Sequence, residues 1–306
     1  MVSLLSSRVS APETPAPARR GSIARHRRRL GIAYATPMAV LVAVFFVIPL
    51  GLMLWMSVNH WPLVGVSAPN GVENYDALSD PLFLRAVGFT VKYTLITTVV
   101  LGIVAFGLAL LVQHDRPGAG VARTVFFLPS AVGLASTSLL FYGLFNTDSS
   151  ALNHLVDFLG FGRVDWLGSG GSALGSTVGM ITWRFAGFYM LILMTGLQSI
   201  DPQLYEAARI DGATRWQILW RVTLPLLRPT LALAAVLSLT GSLLAFDQFF
   251  ILTGGRHDTA TVVIDIYREA FLSQDLGRAA AVSVATLAVL IVLNVAQLRL
   301  IRREGR

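Results

Sequence analysis

The side chains able to do chemistry are concentrated in one stretch of this 306-residue chain, residues 201–230, DPQLYEAARIDGATRWQILWRVTLPLLRPT. It carries Asp201, Glu206, Arg209, Asp211, Arg215, Arg221 and Arg228 between two long apolar runs. So many charges are too costly for hydrocarbon, so the stretch must lie outside a bilayer. The chemistry it offers is recognition. Glu206 supplies a carboxylate for a charge-assisted bond, and Ala207, Ala208 and Ala213 leave room for a partner's backbone. Ile210, Trp216, Ile218, Leu219 and Trp220 add apolar anchors, the pattern of a helix laid in a groove. The competing reading is an amphipathic helix resting on the inner leaflet.

Local rules shape this stretch. Asp201-Pro202 predicts a helix start, because aspartate accepts from orphan amides and proline suits the first helical position. Asp211-Gly212 predicts a turn, since glycine accepts a positive φ. Thr214 with Gln217 has the form of a capping box and predicts a second short helix through Arg221, ahead of Leu224-Pro225.

Covalent and metal chemistry lack their residues. There is no cysteine, hence no thiol nucleophile or thiolate ligand. His26, His60, His114, His154 and His257 show no metal-ligand spacing, and no GxSxG elbow or GxxxxGK[ST] phosphate loop occurs. No catalytic residue, metal site or bound cofactor is expected.

A second set of polar residues falls inside apolar runs. Arg184, in GMITWRFAGFYM, faces either a wet cavity or an acidic partner on another helix. Asp247, Gln248 and Asn294, with the hydroxyls of Ser136, Thr137 and Ser138, either line a solute path or make interhelical contacts.

The elements that must position these groups follow from composition. Hydrophobic residues are 54% of the chain against 13% charged, with mean hydropathy +0.65, which predicts an all-α, polytopic membrane protein. Six stretches are long enough to span, near 33–58, 87–112, 123–146, 173–199, 227–252 and 278–298, within a membrane domain of residues 30–300. Residues 1–29 read as a disordered basic tail that can touch anionic lipid headgroups, and 301–306 as a second tail. A signal peptide fits less well, because the apolar run after the tail is too long and no small-residue cleavage pattern follows. With the N-terminus inside, 17 arginines fall on inner segments, and only Arg85, Arg163, Arg256, Arg268 and Arg278 on outer ones. That asymmetry predicts cytoplasmic termini and a cytoplasmic 201–225 loop. The net charge of +7 is thus sorted by membrane side, which argues against nucleic acid as a partner. Trp61, Tyr75, Trp166 and Tyr267 on the outer loops form an aromatic belt, a docking rim for a soluble receptor, or both.

The spacing Glu206-Ala207-Ala208, Gly212, Val222, Leu224-Pro225 resembles the Glu-Ala-Ala loop of ABC importer permeases. TGLQSI before it, PLLRPTL after it, AFDQFFILTGG, RTVFFLP and Asn74-Tyr75 are similar to the carbohydrate and glycerol-phosphate branch, the maltose-type inner-membrane permeases. The resemblance implies a type I ABC importer permease fold in a bacterial inner membrane. It implies a second, homologous permease subunit, two ATPase subunits that carry ATP and Mg, and an extracytoplasmic solute-binding protein. By the same resemblance, Glu206, Ala207, Ala208, Asp211, Gly212, Ala213, Leu224 and Pro225 couple ATP hydrolysis to alternating access. The implied solute is a sugar, or alternatively glycerol-3-phosphate or a glycerophosphodiester; FILTGGRHD departs from the Gly-Gly-Pro common in sugar permeases. An ion-coupled secondary transporter is the rival class, and it leaves the polar loop without a role.

Overall fold

The computed structural model describes residues 31, 34–113, 117–145 and 151–304. The tail expected at 1–29 and the last two residues of the one expected at 301–306 lie outside them. The chain divides into two compact units, Met1–Leu52 and Met53–Arg306. In the first, helix α1 (Tyr34–Met56, running past the boundary) contains one π-helical turn, Ala43–Val47. It ends where Ile48 N–H bonds to Ala43 O, one residue before Pro49. A proline ring collides with the carbonyl four residues back, and an extra residue in the turn relieves the collision.

In the second unit, α2 (Pro81–Val112) starts on Asp80, whose Oδ1 accepts from Leu82 N–H at 2.8 Å, with Pro81 at the first helical position. Next come α3 (Ala119–Ala131), α4 (Leu134–Leu144) and the short helix α5 (Ala151–Phe158). Helix α6 (Gly170–Gln198) is the most buried long helix, followed by α7 (Pro202–Ile210) and α8 (Arg215–Leu243). The unit ends with α9 (Asp247–Thr253), α10 (Val262–Tyr267) and α11 (Leu276–Glu304). Beyond these, a two-stranded antiparallel ribbon, β1 (Asn59–His60) with β2 (Ala68–Pro69), precedes a 3-10 turn at Glu73–Ser79.

The core lies between α2 and α6. Ala105 and Ala109 on α2, both fully buried, let α6 approach closely enough for Met190, Leu193 and Leu197 to fill the interface, with Leu227 of α8 closing it. Small residues serve this purpose in membranes, where hydrophobicity alone does not bring helices together. Gly196 follows the same rule, since a Cβ there would sit 2.4 Å from Thr230 Oγ1.

Among the described residues, five helices are long and apolar enough to cross a membrane, and six if α3 and α4 count as one span. The expected spans differ from these in two places. The stretch 123–146 is not one rod: α3 and α4 meet at 93°, with Val132 extended and Pro129 and Gly133 flanking the break. The stretch 227–252 also breaks, because α8 stops at Leu243 and α9 starts at Asp247. Each break frees a carbonyl that lipid cannot satisfy, and each finds a side-chain donor. Arg184 of α6 donates to Val132 O, and Thr261 Oγ1 donates to Ala245 O at 2.6 Å.

Candidate functional site

The polar segment is built as its caps dictate. Asp201 Oδ1 accepts from Gln203 N–H at 2.9 Å to open α7. The helix closes in a Schellman motif: Ala213 N–H bonds to Ala208 O at 3.0 Å, and Gly212 N–H to Arg209 O at 3.1 Å, with Gly212 at φ +80°. Thr214 and Gln217 then exchange bonds, Thr214 N–H to Gln217 Oε1 at 2.8 Å and Gln217 N–H to Thr214 Oγ1 at 3.3 Å. The helix opened by that box is not the short one expected to end at Arg221. It continues as α8 to Leu243, so Leu224 and Pro225 lie inside a helix rather than at the end of a loop. A π turn at Leu219–Thr223, closed by Leu224 N–H to Leu219 O, accommodates Pro225 as Pro49 is accommodated in α1.

The surface this produces is open. Glu206, Ala207, Asp211 and Gly212 are exposed, while Ala208, Ala213, Leu224 and Pro225 are half-buried. Ile210 is 87% exposed and Trp216 67%, unusual for such side chains outside an interface. Trp216 and Trp220 pack edge to face, 5.6 Å between ring centres. Glu206 has no ion-pair partner among the described residues. Two carboxylates, small residues and uncovered rings form a surface that can dock.

The second candidate is a cavity of about 320 Å³ inside the membrane domain. Tyr93 and Thr97 of α2, Phe185, Phe188 and Tyr189 of α6, and Leu134 at the start of α4 form part of its wall. Ser238, Gly241 and Ser242 of α8, and the α8–α9 break through Gln248, complete it. Gln248 is buried, and its Nε2 donates to Tyr93 Oη at 3.2 Å while Oε1 finds no partner. A buried unmet acceptor in a cavity is a place for a ligand donor. Rings, hydroxyls and an amide surround it, with Asp247 the one charged residue among the described residues of the lining.

The structure thus separates the residues expected on a solute path. Asp247 and Gln248 line the cavity; Arg184 and Asn294 do not. Asn294 accepts from Thr240 Oγ1 at 3.2 Å and donates to Leu290 O, an interhelical contact. Among the described residues, Arg184 neither lines the cavity nor pairs with an acidic side chain. Its Nε and Nη2 both donate to Val132 O, at 3.0 and 2.7 Å. The aromatic wall was missed in the sequence, though its spacing was a signal: Phe185, Phe188 and Tyr189 share one helical face, as do Tyr93, Thr97 and Leu101.

Several residues of the loops expected on the outer side make contacts within the chain. Asn74 is buried and its Nδ2 donates to Ser57 O at 3.0 Å and Asn59 O at 2.8 Å, holding the loop after α1. Trp166 Nε1 donates to Asn153 Oδ1, and the Tyr267 ring packs on Phe246 and Phe250.

Residues 98–306 match the family described as binding-protein-dependent transport system inner membrane component. A sulfoquinovosyl glycerol transport system permease of Agrobacterium fabrum is 31% identical, over 90% of this chain and 92% of that protein. An sn-glycerol-3-phosphate transport system permease of Salmonella typhimurium is 32% identical, over 91% and 96%. A trehalose/maltose permease of Thermococcus litoralis is 30% identical, over 89% and 93%. Among solved structures, a bacterial alginate ABC transporter superposes with TM-score 0.79 at 23% identity, over 93% of this chain and 99% of that one. Another structure of an alginate transporter, also at TM-score 0.79 and 23% identity, over 91% of this chain and 96% of that one, holds a pentasaccharide-bound periplasmic protein. None of these relatives is an ion-coupled transporter. The chain belongs to the binding-protein-dependent inner-membrane components, the permease subunits of ABC importers.

Proposed function

We propose that this permease carries an uncharged sugar or glycoside through the cavity between α2, α6 and α8, driven by ATP hydrolysed on two separate subunits, one of which docks on residues 201–225. The lining of the cavity carries this reading. Aromatic faces stack on the apolar faces of sugar rings, hydroxyl and amide groups bond their hydroxyls, and among the described residues no arginine or lysine lines the wall to hold a phosphate. The cavity also contains Asp247, which would repel a phosphate ester.

The lever is α8. It begins beside the docking surface at Arg215 and reaches the cavity wall at Ser238, about 35 Å away at helical rise. A push on its exposed end therefore reaches the solute site through a single helix. Nucleotide closure of the ATPase pair would draw the docked segments together, and the cavity would open on the opposite side. Glu206 would meet a basic group of the ATPase, and ATP with Mg would stay on that subunit. Termini and the 201–225 segment would be cytoplasmic, with a second permease and an extracytoplasmic receptor completing the importer.

Uptake into proteoliposomes holding the complete complex tests the solute. A neutral glycoside should be transported, and a hundredfold excess of glycerol-3-phosphate should not compete. Competition by the phosphate would replace the sugar reading with the phosphate one.

A further inference from the structure

We propose that Arg184 is a positioning residue for transport: it sets the angle of the α3–α4 break, and through that angle the shape of the cavity wall. The inference rests on the cavity being the solute site. A break in hydrocarbon exposes Val132 O, and the Arg184 guanidinium answers it with two N–H groups, from Nε and Nη2. The contact is reciprocal, because Ser130 Oγ donates to Arg184 O at 2.8 Å. One turn along α6, the two backbones touch: a Cβ on Gly187 would lie 1.9 Å from Phe126 O. Residues 126–132 are thereby pinned to α6 at three levels.

The pin reaches the cavity through two elements, α4 and α6. Val132 is two residues before Leu134, the first residue of α4 and part of the wall. Phe185, the neighbour of Arg184, also lines the wall, and its ring lies under the guanidinium, 4.1 Å from ring centre to Cζ. Moving the guanidinium would therefore shift two wall residues at once. A lysine could satisfy the carbonyl with one bond but has no planar fork to fix the direction of approach. A glutamine is too short to reach from the same position.

Assembled complexes carrying Arg184→Lys, Arg184→Gln and Ser130→Ala give the test. The angle is read as the distance between spin labels on cysteines at Tyr142 of α4 and Phe188 of α6 in this naturally cysteine-free chain. Uptake kinetics are read on the same substitutions without labels. Arg184→Gln should broaden or shift the distance. It should raise the half-saturation concentration about tenfold, the scale of one lost hydrogen bond, while the maximal rate per complex changes less than twofold. Arg184→Lys should recover about half of each change, because one bond returns without the fork, and Ser130→Ala should fall between it and the native protein. An unchanged distance in Arg184→Gln overturns the proposal. If Arg184→Gln does not assemble, the lysine and alanine variants decide: native distances and half-saturation in both overturn it. Thiol modification of Ser242→Cys, on the opposite wall, tests the premise separately. If modification blocks uptake while the Arg184 variants keep native half-saturation, the pin is structural only. If modification leaves uptake intact, the cavity reading itself fails.

Discussion

Gly212 offers the sharpest separation between the shape of the docking segment and its surface. It adopts φ +80°, and a Cβ built on it meets nothing within 4 Å. Substitution in this chain therefore costs backbone conformation and nothing else. For alanine that cost is about 1 kcal/mol, and for a β-branched valine about 2 kcal/mol. At room temperature these correspond to roughly fivefold and thirtyfold losses of the turn that joins α7 to α8. Asparagine tolerates the left-handed region and serves as the control. In a purified complex, receptor-stimulated ATP hydrolysis and uptake should fall together in the order Gly, Asn, Ala, Val. Complex yield should hold, because the Schellman bonds lie outside the core. An asparagine variant as impaired as valine would show that bulk against the partner, not φ, is the constraint. Full stimulation in all three variants would refute a coupling role for this turn.

Other outcomes follow from separate features. Gly187→Ala places a methyl on Phe126 O and should lower thermal stability by about 1–3 kcal/mol or prevent assembly, checked by unfolding in detergent. A cysteine at Arg215 should label only from the cytoplasm and one at Gly160 only from outside; the reverse would overturn the orientation drawn from the arginine asymmetry. Burial pushes the Asp265 carboxyl above its ordinary value of 3.8, helped by Glu269 and Asp80 and opposed by Arg268 and Arg278. Its ionised form thus destabilises the folded state at neutral pH, and the penalty shrinks as pH falls through the raised value toward 3.8. Asp265→Asn should raise the melting temperature at pH 7 more than at pH 4, and an equal rise at both would refute this.

Short-range features were readable from sequence. Asp201-Pro202, Gly212 and the Thr214–Gln217 pair act within three or four residues, and each makes the cap its type predicts. Hydropathy located the apolar helices because a span is defined by its length. It could not locate the breaks, whose stability comes from distant donors: Arg184 lies 52 residues from Val132, and Thr261 lies 16 from Ala245. Pro225 looked like a loop end because the π turn that absorbs it leaves no signal in hydropathy. Arg184 was read through its charge, as something needing a solute or an acid. Its partner is a backbone carbonyl, which every residue carries and no sequence pattern marks.

The measurement that bears most directly on coupling uses a single cysteine at Ser242, in the cavity wall at the far end of α8. In proteoliposomes with the full complex, a membrane-impermeant thiol reagent is applied to one face at a time, with and without ATP and receptor. Labelling should move from one face to the other when nucleotide and receptor are present, and Gly212→Val should abolish the move. Labelling from the same face in every state, or a nucleotide-driven move that survives Gly212→Val undiminished, would contradict that coupling.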